Sequence, residues 1–149
     1  MRRGTRITTA TILGLAAALT IPATGFTQND LPPRGNSYWI NDEYALKEVV
    51  VLKYQGKRLR VGWTHSPCFT GIRKPGRKFV GGGYNQGGGY SHQTLRLRIN
   101  LSGRIGMRWS ALPQTNFYQQ YTRKAALKFA KQVGLRYRVH HMFRDCELR

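Results

Sequence analysis

Large apolar side chains and arginines alternate along several segments of the chain, and this alternation restricts the fold more than any other feature. Odd positions carry apolar residues, such as Leu95 and Leu97, and the even positions between them carry Arg96 and Arg98. Because successive side chains of a strand point to opposite faces, such segments predict strands with one buried face and one charged face. Nine residues at even positions are predicted to share the charged face: Arg58, Arg60, Arg96, Arg98, Arg104, Arg108, Arg136, Arg138 and His140.

The segments group into two predicted hairpins. Residues 45–54 are rich in Val and Leu, and after a break at Gln55 and Gly56 the alternating residues 57–63 complete the first hairpin. Residues 94–101 and 104–109 alternate around Ser102 and Gly103, a two-residue turn with glycine where a positive φ is needed.

A change of period then predicts one helix. Tyr118, Tyr121, Ala125, Phe129 and Val133 recur at three- and four-residue spacing, with Thr115 or Asn116 as cap and Gly134 at the end. Residues 135–143 alternate again and predict a last strand. The predicted fold class is α+β: an antiparallel sheet of about five strands in β-β-β-β-α-β order, with the helix packed on one face.

The span from Val49 to Arg144 contains no Asp or Glu but nineteen Lys and Arg, in a chain with a formal net charge of +19. The span therefore cannot supply paired carboxylates for hydrolysis, the acid of a Ser-His-Asp triad or a hard-cation site. Such a positive surface repels itself unless an anion neutralises it, and the planar guanidinium suits phosphate, sulfate or carboxylate. An alternative is that the arginines form only a solvated outer surface.

A segment rich in Gly and Tyr separates the hairpins. We predict a loop at about 72–93, in which residues 81–92 repeat the hexad GGGYNQ as GGGYSH. Tyr84 and Tyr90 are candidates for stacking on bases or sugar rings beside the basic residues. A flexible insertion without a contact role is the alternative.

The chain begins with a predicted export signal. Arg2, Arg3 and Arg6 precede an apolar stretch and small residues near Gly25, which is typical of a signal peptide over residues 1–25. An uncleaved anchor and a mitochondrial presequence are the alternatives. Residues 26–37 are predicted to form a flexible N-terminal arm and residues 38–149 a single domain, which is not membrane-spanning once the signal is removed.

Two cysteines, Cys68 and Cys146, lie beyond the predicted signal. In an oxidising compartment an isolated pair is most simply one disulfide. Two free thiols, or Cys68 as a nucleophile, are the alternatives. No metal-ligand spacing and no cofactor motif is present, so neither a metal nor a cofactor is expected.

These features predict a secreted or periplasmic, strongly basic, non-enzymatic protein that binds a polyanion through an arginine-rich sheet face. The eligible partners are lipopolysaccharide, anionic wall polymer, acidic glycan and nucleic acid. The alternative is a small metal-independent nuclease or toxin that uses His65, His92 or His140 with Lys or Arg. The third hypothesis is a structural envelope protein that is held to anionic surfaces by its charge.

Overall fold

Eight antiparallel strands form a closed barrel, so the prediction of an open five-stranded sheet with one helix is wrong. The computed structural model describes residues 31–43, 47–65, 68–84, 90–112 and 114–149, and the predicted signal lies outside them. The elements are β1 (Gly35–Asn41), β2 (Glu48–Gln55), β3 (Arg58–Trp63), β4 (Phe69–Lys74), β5 (Lys78–Tyr84), β6 (Tyr90–Ile99), β7 (Arg104–Trp109), β8 (Thr115–Tyr121), α1 (Arg123–Gln132) and α2 (Arg136–Asp145).

Each strand pairs with its neighbour in sequence, and β1 closes the barrel against β8 with Trp39 opposite Gln120. The barrel interior is filled by apolar and aromatic side chains, as expected for eight strands. In β3, β6 and β7 the odd positions point inward, as the alternation predicts. The interior residues are Trp39, Val50, Leu52, Tyr54, Leu59, Val61, Trp63, Phe69, Phe79, Leu95, Leu97, Ile99, Ile105, Met107 and Tyr118.

A second apolar cluster lies outside the barrel, where α1 and α2 cover β1, β2 and β3. Val49 and Val51 face the helices, whereas Val50 and Leu52 face the interior. Burial of β2 on both faces accounts for its continuous apolar run, since only a strand covered on both sides loses the polar alternation.

Residues 115–121, predicted as the start of the helix, form β8 instead. The helix α1 begins at Arg123, where the side chain of Thr122 accepts a hydrogen bond from the Ala125 amide at 3.2 Å. It ends before Gly134, which has φ +75°. Alternation and helical spacing overlap in short segments, and closure of the barrel by β8 decides for the strand.

Residues 135–143, predicted as the last strand, form most of α2. Leu135, Val139, Met142 and Cys146 are buried, at the spacing of one helix face. Tyr137, which supported the strand prediction, is 73% exposed. The apparent period of two was incidental.

The predicted Gly/Tyr-rich loop contains the end of β4, all of β5 and the beginning of β6, while residues 85–89 lie outside the description. Its glycines permit close approach of strands. A Cβ on Gly81 would lie 1.9 Å from the carbonyl oxygen of Thr70 on β4. Glycine-rich sequence here indicates crowding inside a curved sheet, not a free loop.

Both predicted hairpins are confirmed, as β2–β3 and β6–β7. The second turn is longer than the two residues predicted, because β6 ends at Ile99 and β7 begins at Arg104. The Asn100 side chain accepts hydrogen bonds from the Ser102 and Arg104 amides. The disulfide between Cys68 and Cys146 is also confirmed, and it joins the start of β4 to the end of α2 with a Cα–Cα distance of 5.1 Å.

Candidate functional site

A row of cations crosses three neighbouring strands on the outer surface of the barrel. Lys78 on β5 lies directly opposite Arg96 on β6, and Arg96 lies directly opposite Arg108 on β7. Arg98, two positions along β6 from Arg96, faces the same side. We call these four residues, Lys78, Arg96, Arg98 and Arg108, the basic wall. Adjacent antiparallel strands lie about 4.8 Å apart, so the charges of the row are close neighbours.

The β7–β8 connection forms the rim of a groove beside this row. The groove has a volume of about 760 Å³ and is lined by Lys78, Arg96 and Arg108, with further residues from β6, β7 and the connection: Thr94, Trp109, Ser110, Ala111 and Leu112. The Ser110 hydroxyl oxygen accepts a hydrogen bond from the Thr94 amide at 3.0 Å, which holds the connection against β6. Because that hydroxyl is used as an acceptor, its proton remains available to donate to a ligand.

Among the described residues, no carboxylate forms an ion pair with the basic wall. Glu43 pairs with Arg104 at 2.7 Å, Glu147 with Arg60 at 2.8 Å and Asp145 with Arg144 at 2.7 Å. Like charges opposite each other on neighbouring strands are destabilising, so this row costs folding free energy. The cost would be relieved by an anion bound across the three strands.

The eight arginines predicted to share one face do not all lie together. The strand order separates Arg58 and Arg60 on β3 from Arg96 and Arg98 on β6 by the whole of β4 and β5. Arg104 lies on β7 but is neutralised by Glu43, and its guanidinium carbon is 5.8 Å from the centre of the Phe117 ring. Of the predicted array, Arg96, Arg98 and Arg108 therefore remain together and without a carboxylate partner in the described part of the chain.

The remaining two predicted arginines, Arg136 and Arg138, lie on α2 and not on a strand. Arg138 donates hydrogen bonds to the Thr64 carbonyl at 3.4 Å and to Nδ1 of His65 at 3.2 Å. Arg138 thus connects α2 to the end of β3. Arg136 faces a separate groove between the helices.

The three candidate histidines lie on different elements. His65 follows β3, and its Nε2 lies 2.8 Å from the Lys47 carbonyl oxygen while Arg138 contacts its Nδ1. His140 is two residues beyond Arg138 on α2, about 200° around the helix, so it faces away from His65. His92 is on β6, opposite Gly82 and in line with the outward-facing Thr94 and Arg96.

The candidate stacking residues are opposite each other in the strand register, with Tyr84 at the end of β5 and Tyr90 at the beginning of β6. Lys78, which completes the row, was not selected from the sequence. It lies in the segment predicted as a loop, so its register against Arg96 was not predictable. Its even position, shared with Arg96 and Arg108, is the signal that could have identified it.

A half-buried acid was also missed. Tyr118 donates a hydrogen bond to the Glu48 carboxylate at 2.7 Å. Burial raises the pKa of Glu48 above its usual value, and the Tyr118 hydrogen bond and nearby His65 oppose this only in part. Burial, followed by the charge of Glu48, raises the pKa of Tyr118 as well. The sequence signal is a glutamate that directly precedes the apolar run of β2.

Comparison with protein-family models, with curated proteins and with solved structures gives no match to this chain. Within the described residues, no helix is long and apolar enough to cross a membrane. The same residues contain no group of three or more His, Cys, Asp or Glu side chains placed to hold a metal ion.

Proposed function

We propose that this protein is an exported polyanion-binding protein and that the basic wall with its groove is the binding surface. The observation that carries the proposal is the register of Lys78, Arg96 and Arg108, three cations in one row without a carboxylate partner among the described residues. A polymer lying across the strands would meet one cation per strand. Two of the three are arginines, which bind oxyanions through two parallel hydrogen bonds.

The composition of the groove supports oxyanions as the ligand groups, because the groove offers more than bare positive charge. Thr94 and Ser110 add hydroxyl groups next to the guanidinium groups, and Leu112 adds an apolar edge. Phosphate-rich envelope polymer, lipopolysaccharide phosphates, acidic glycans and nucleic acid all carry repeated oxyanions. We infer that the ligand belongs to this class and is met outside the cell, in a secreted or periplasmic setting.

The histidine-based nuclease has no comparable support. His140 lies on the side of α2 that faces away from His65, and both ring nitrogens of His65 already contact Lys47 or Arg138. Binding without chemistry is therefore the function that we propose.

The proposal is tested with two variants of equal charge. Lys78→Gln, Arg96→Gln and Arg108→Gln together remove the row, whereas Lys124→Gln, Lys128→Gln and Lys131→Gln together remove three exposed cations from α1. We expect the first variant to bind fluorescent polyphosphate, heparin or single-stranded DNA at least tenfold more weakly, about 1.4 kcal/mol. The second should change affinity only slightly.

The dependence of the binding affinity on salt concentration provides a second result from the same experiment. For a single-stranded polymer, loss of three contacts should lower the slope of log affinity against log salt by about 2. Equal weakening in both variants would show that total charge, and not the row, governs binding. Folding is checked by thermal unfolding, in which the wall variant should lose no stability because it removes a repulsive row.

A further inference from the structure

A second groove lies between the two helices, on the other side of the molecule from the basic wall. The helices cover β1, β2 and β3, whereas the wall occupies β5, β6 and β7. In an eight-stranded barrel β2 and β6 are four strands apart in both directions and so lie on opposite sides. The helix groove is therefore independent of the wall.

The helix groove combines cations with an apolar lining. It has a volume of about 490 Å³, within the usual size range of small-ligand sites. Arg123 and Leu127 line one side from α1, one helical turn apart. Arg136, Val139 and Phe143 line it from α2, together with Tyr38 on β1 and Leu148.

The cations of this groove are held next to apolar surface. The guanidinium carbon of Arg123 lies 5.9 Å from the centre of the Phe143 ring, and the Tyr38 and Phe143 rings are 6.2 Å apart. Leu127 is 39% exposed, unlike the buried Val139 and Leu148 below it. A free inorganic anion would use the arginines but would leave this apolar surface in water.

No aspartate or glutamate lines the groove, and in the described part of the chain neither Arg123 nor Arg136 pairs with one. The main-chain oxygen of Arg149 already accepts a hydrogen bond from Lys53. The groove thus has guanidinium groups available to an anion and exposed apolar surface available to whatever carries it.

We propose that the helix groove is a second binding site, for a single phosphate or carboxylate attached to an apolar body. Arg123 and Arg136 would bind the anionic group, and Leu127 and Phe143 would cover the apolar body. The body is an acyl chain or an aromatic ring, two sources of the same chemistry.

The test is a titration followed by backbone amide NMR, with three ligands at constant ionic strength. Decyl phosphate below its micelle concentration represents the acyl source, phenyl phosphate the aromatic source and inorganic phosphate the anion alone. We expect at least one organic phosphate to shift α1 and α2 amides saturably, with at least tenfold higher affinity than inorganic phosphate. The tighter of the two organic ligands identifies the source.

Variants separate the two parts of the proposed site. Arg136→Gln should weaken the organic phosphate by about tenfold, the order expected for loss of a charge-assisted hydrogen bond. Leu127→Asn should reduce its affinity toward that of inorganic phosphate. Arg108→Gln, in the basic wall, should leave it unchanged, so failure here is distinguishable from failure of the polyanion proposal.

The proposal is overturned if inorganic phosphate binds the helices as tightly as the organic ligands, or if Arg136→Gln binds as the parent does. Shifts confined to β5–β7 would also overturn it. Unchanged barrel amide positions in each variant show that the fold is retained.

Discussion

Among single residues, Glu48 is a carboxylate whose pKa the folded protein shifts upward, because burial disfavours its charged form. It directly precedes the acid-free span, and the buried Tyr118 donates a hydrogen bond to its side chain. Because burial raises its pKa in the folded state, the folded protein holds the Glu48 proton at pH values at which the unfolded chain has released it.

This gives a signed dependence of stability on pH. The contribution of protonated Glu48 is complete below about pH 4.5, the usual value for the unfolded chain. It is lost as pH rises through the higher pKa of the folded state, by about 1.4 kcal/mol for each unit between the two values. Glu48→Gln cannot ionise and still accepts the Tyr118 hydrogen bond, so its stability should fall less over this range.

The measurement is urea unfolding of both proteins at intervals from pH 4 to pH 8. The free energy of unfolding of Glu48→Gln relative to the parent should increase with pH and then level off. Glu43→Gln, at an exposed carboxylate paired with Arg104, serves as control. Parallel profiles for the parent and Glu48→Gln would contradict the effect of burial.

At the scale of elements, the approach of β5 to β4 depends on glycine. The carbonyl oxygen that a Gly81 side chain would meet belongs to the backbone of Thr70 and cannot rotate away as a side chain can. Gly81→Ala should therefore cost about 3 kcal/mol or more of unfolding free energy, at the upper end of overpacking. Gly56→Ala is the matched control, because Gly56 has φ +57° and open space around it.

Gly56→Ala carries only the backbone cost of a left-handed conformation, about 1–2 kcal/mol. Both variants are compared by denaturant unfolding. An equal loss of stability in the two would mean that β4 and β5 can separate to admit a methyl group.

The same elements show how far the sequence determines the fold. Alternation correctly assigns the inward residues of β3, β6 and β7, such as Leu59, Leu97 and Met107, because a side-chain period of two is a local property. The closure of β1 onto β8 is not local, since Trp39 and Gln120 are 81 positions apart in the chain. Whether the strands form an open sheet or a closed barrel depends on that closure and on the close approach of strands that glycine permits in β5.

The candidate site, like the fold, could be predicted from the sequence only in part. The outward direction of Arg96, Arg98 and Arg108 follows from strand parity alone. The separation of Arg58 and Arg60 from them follows from strand order, which parity does not contain. The sequence of the ten-residue segment α2 fits both the period of a strand and the period of a helix. Arg136 and Arg138 were therefore predicted on a strand but lie on a helix.

At the scale of the whole molecule, the two grooves divide the basic surface by chemistry. The basic wall presents a row of charges with hydroxyl groups, whereas the helix groove combines charge with exposed apolar residues. A polymer without apolar groups should therefore prefer the wall. Net charge alone attracts polyanions to every side of the barrel and does not select one.

Amide NMR at physiological salt can locate a bound inorganic polyphosphate on the parent protein and so tests directly whether the basic wall is the binding surface. We predict that saturable shifts concentrate in β5–β7, at residues next to Lys78, Arg96, Arg108 and Ser110, and that α1 and α2 respond weakly. Shifts of equal size over all cationic surfaces, or a maximum on the lysine-rich face of α1, would show that the basic wall is not the binding surface.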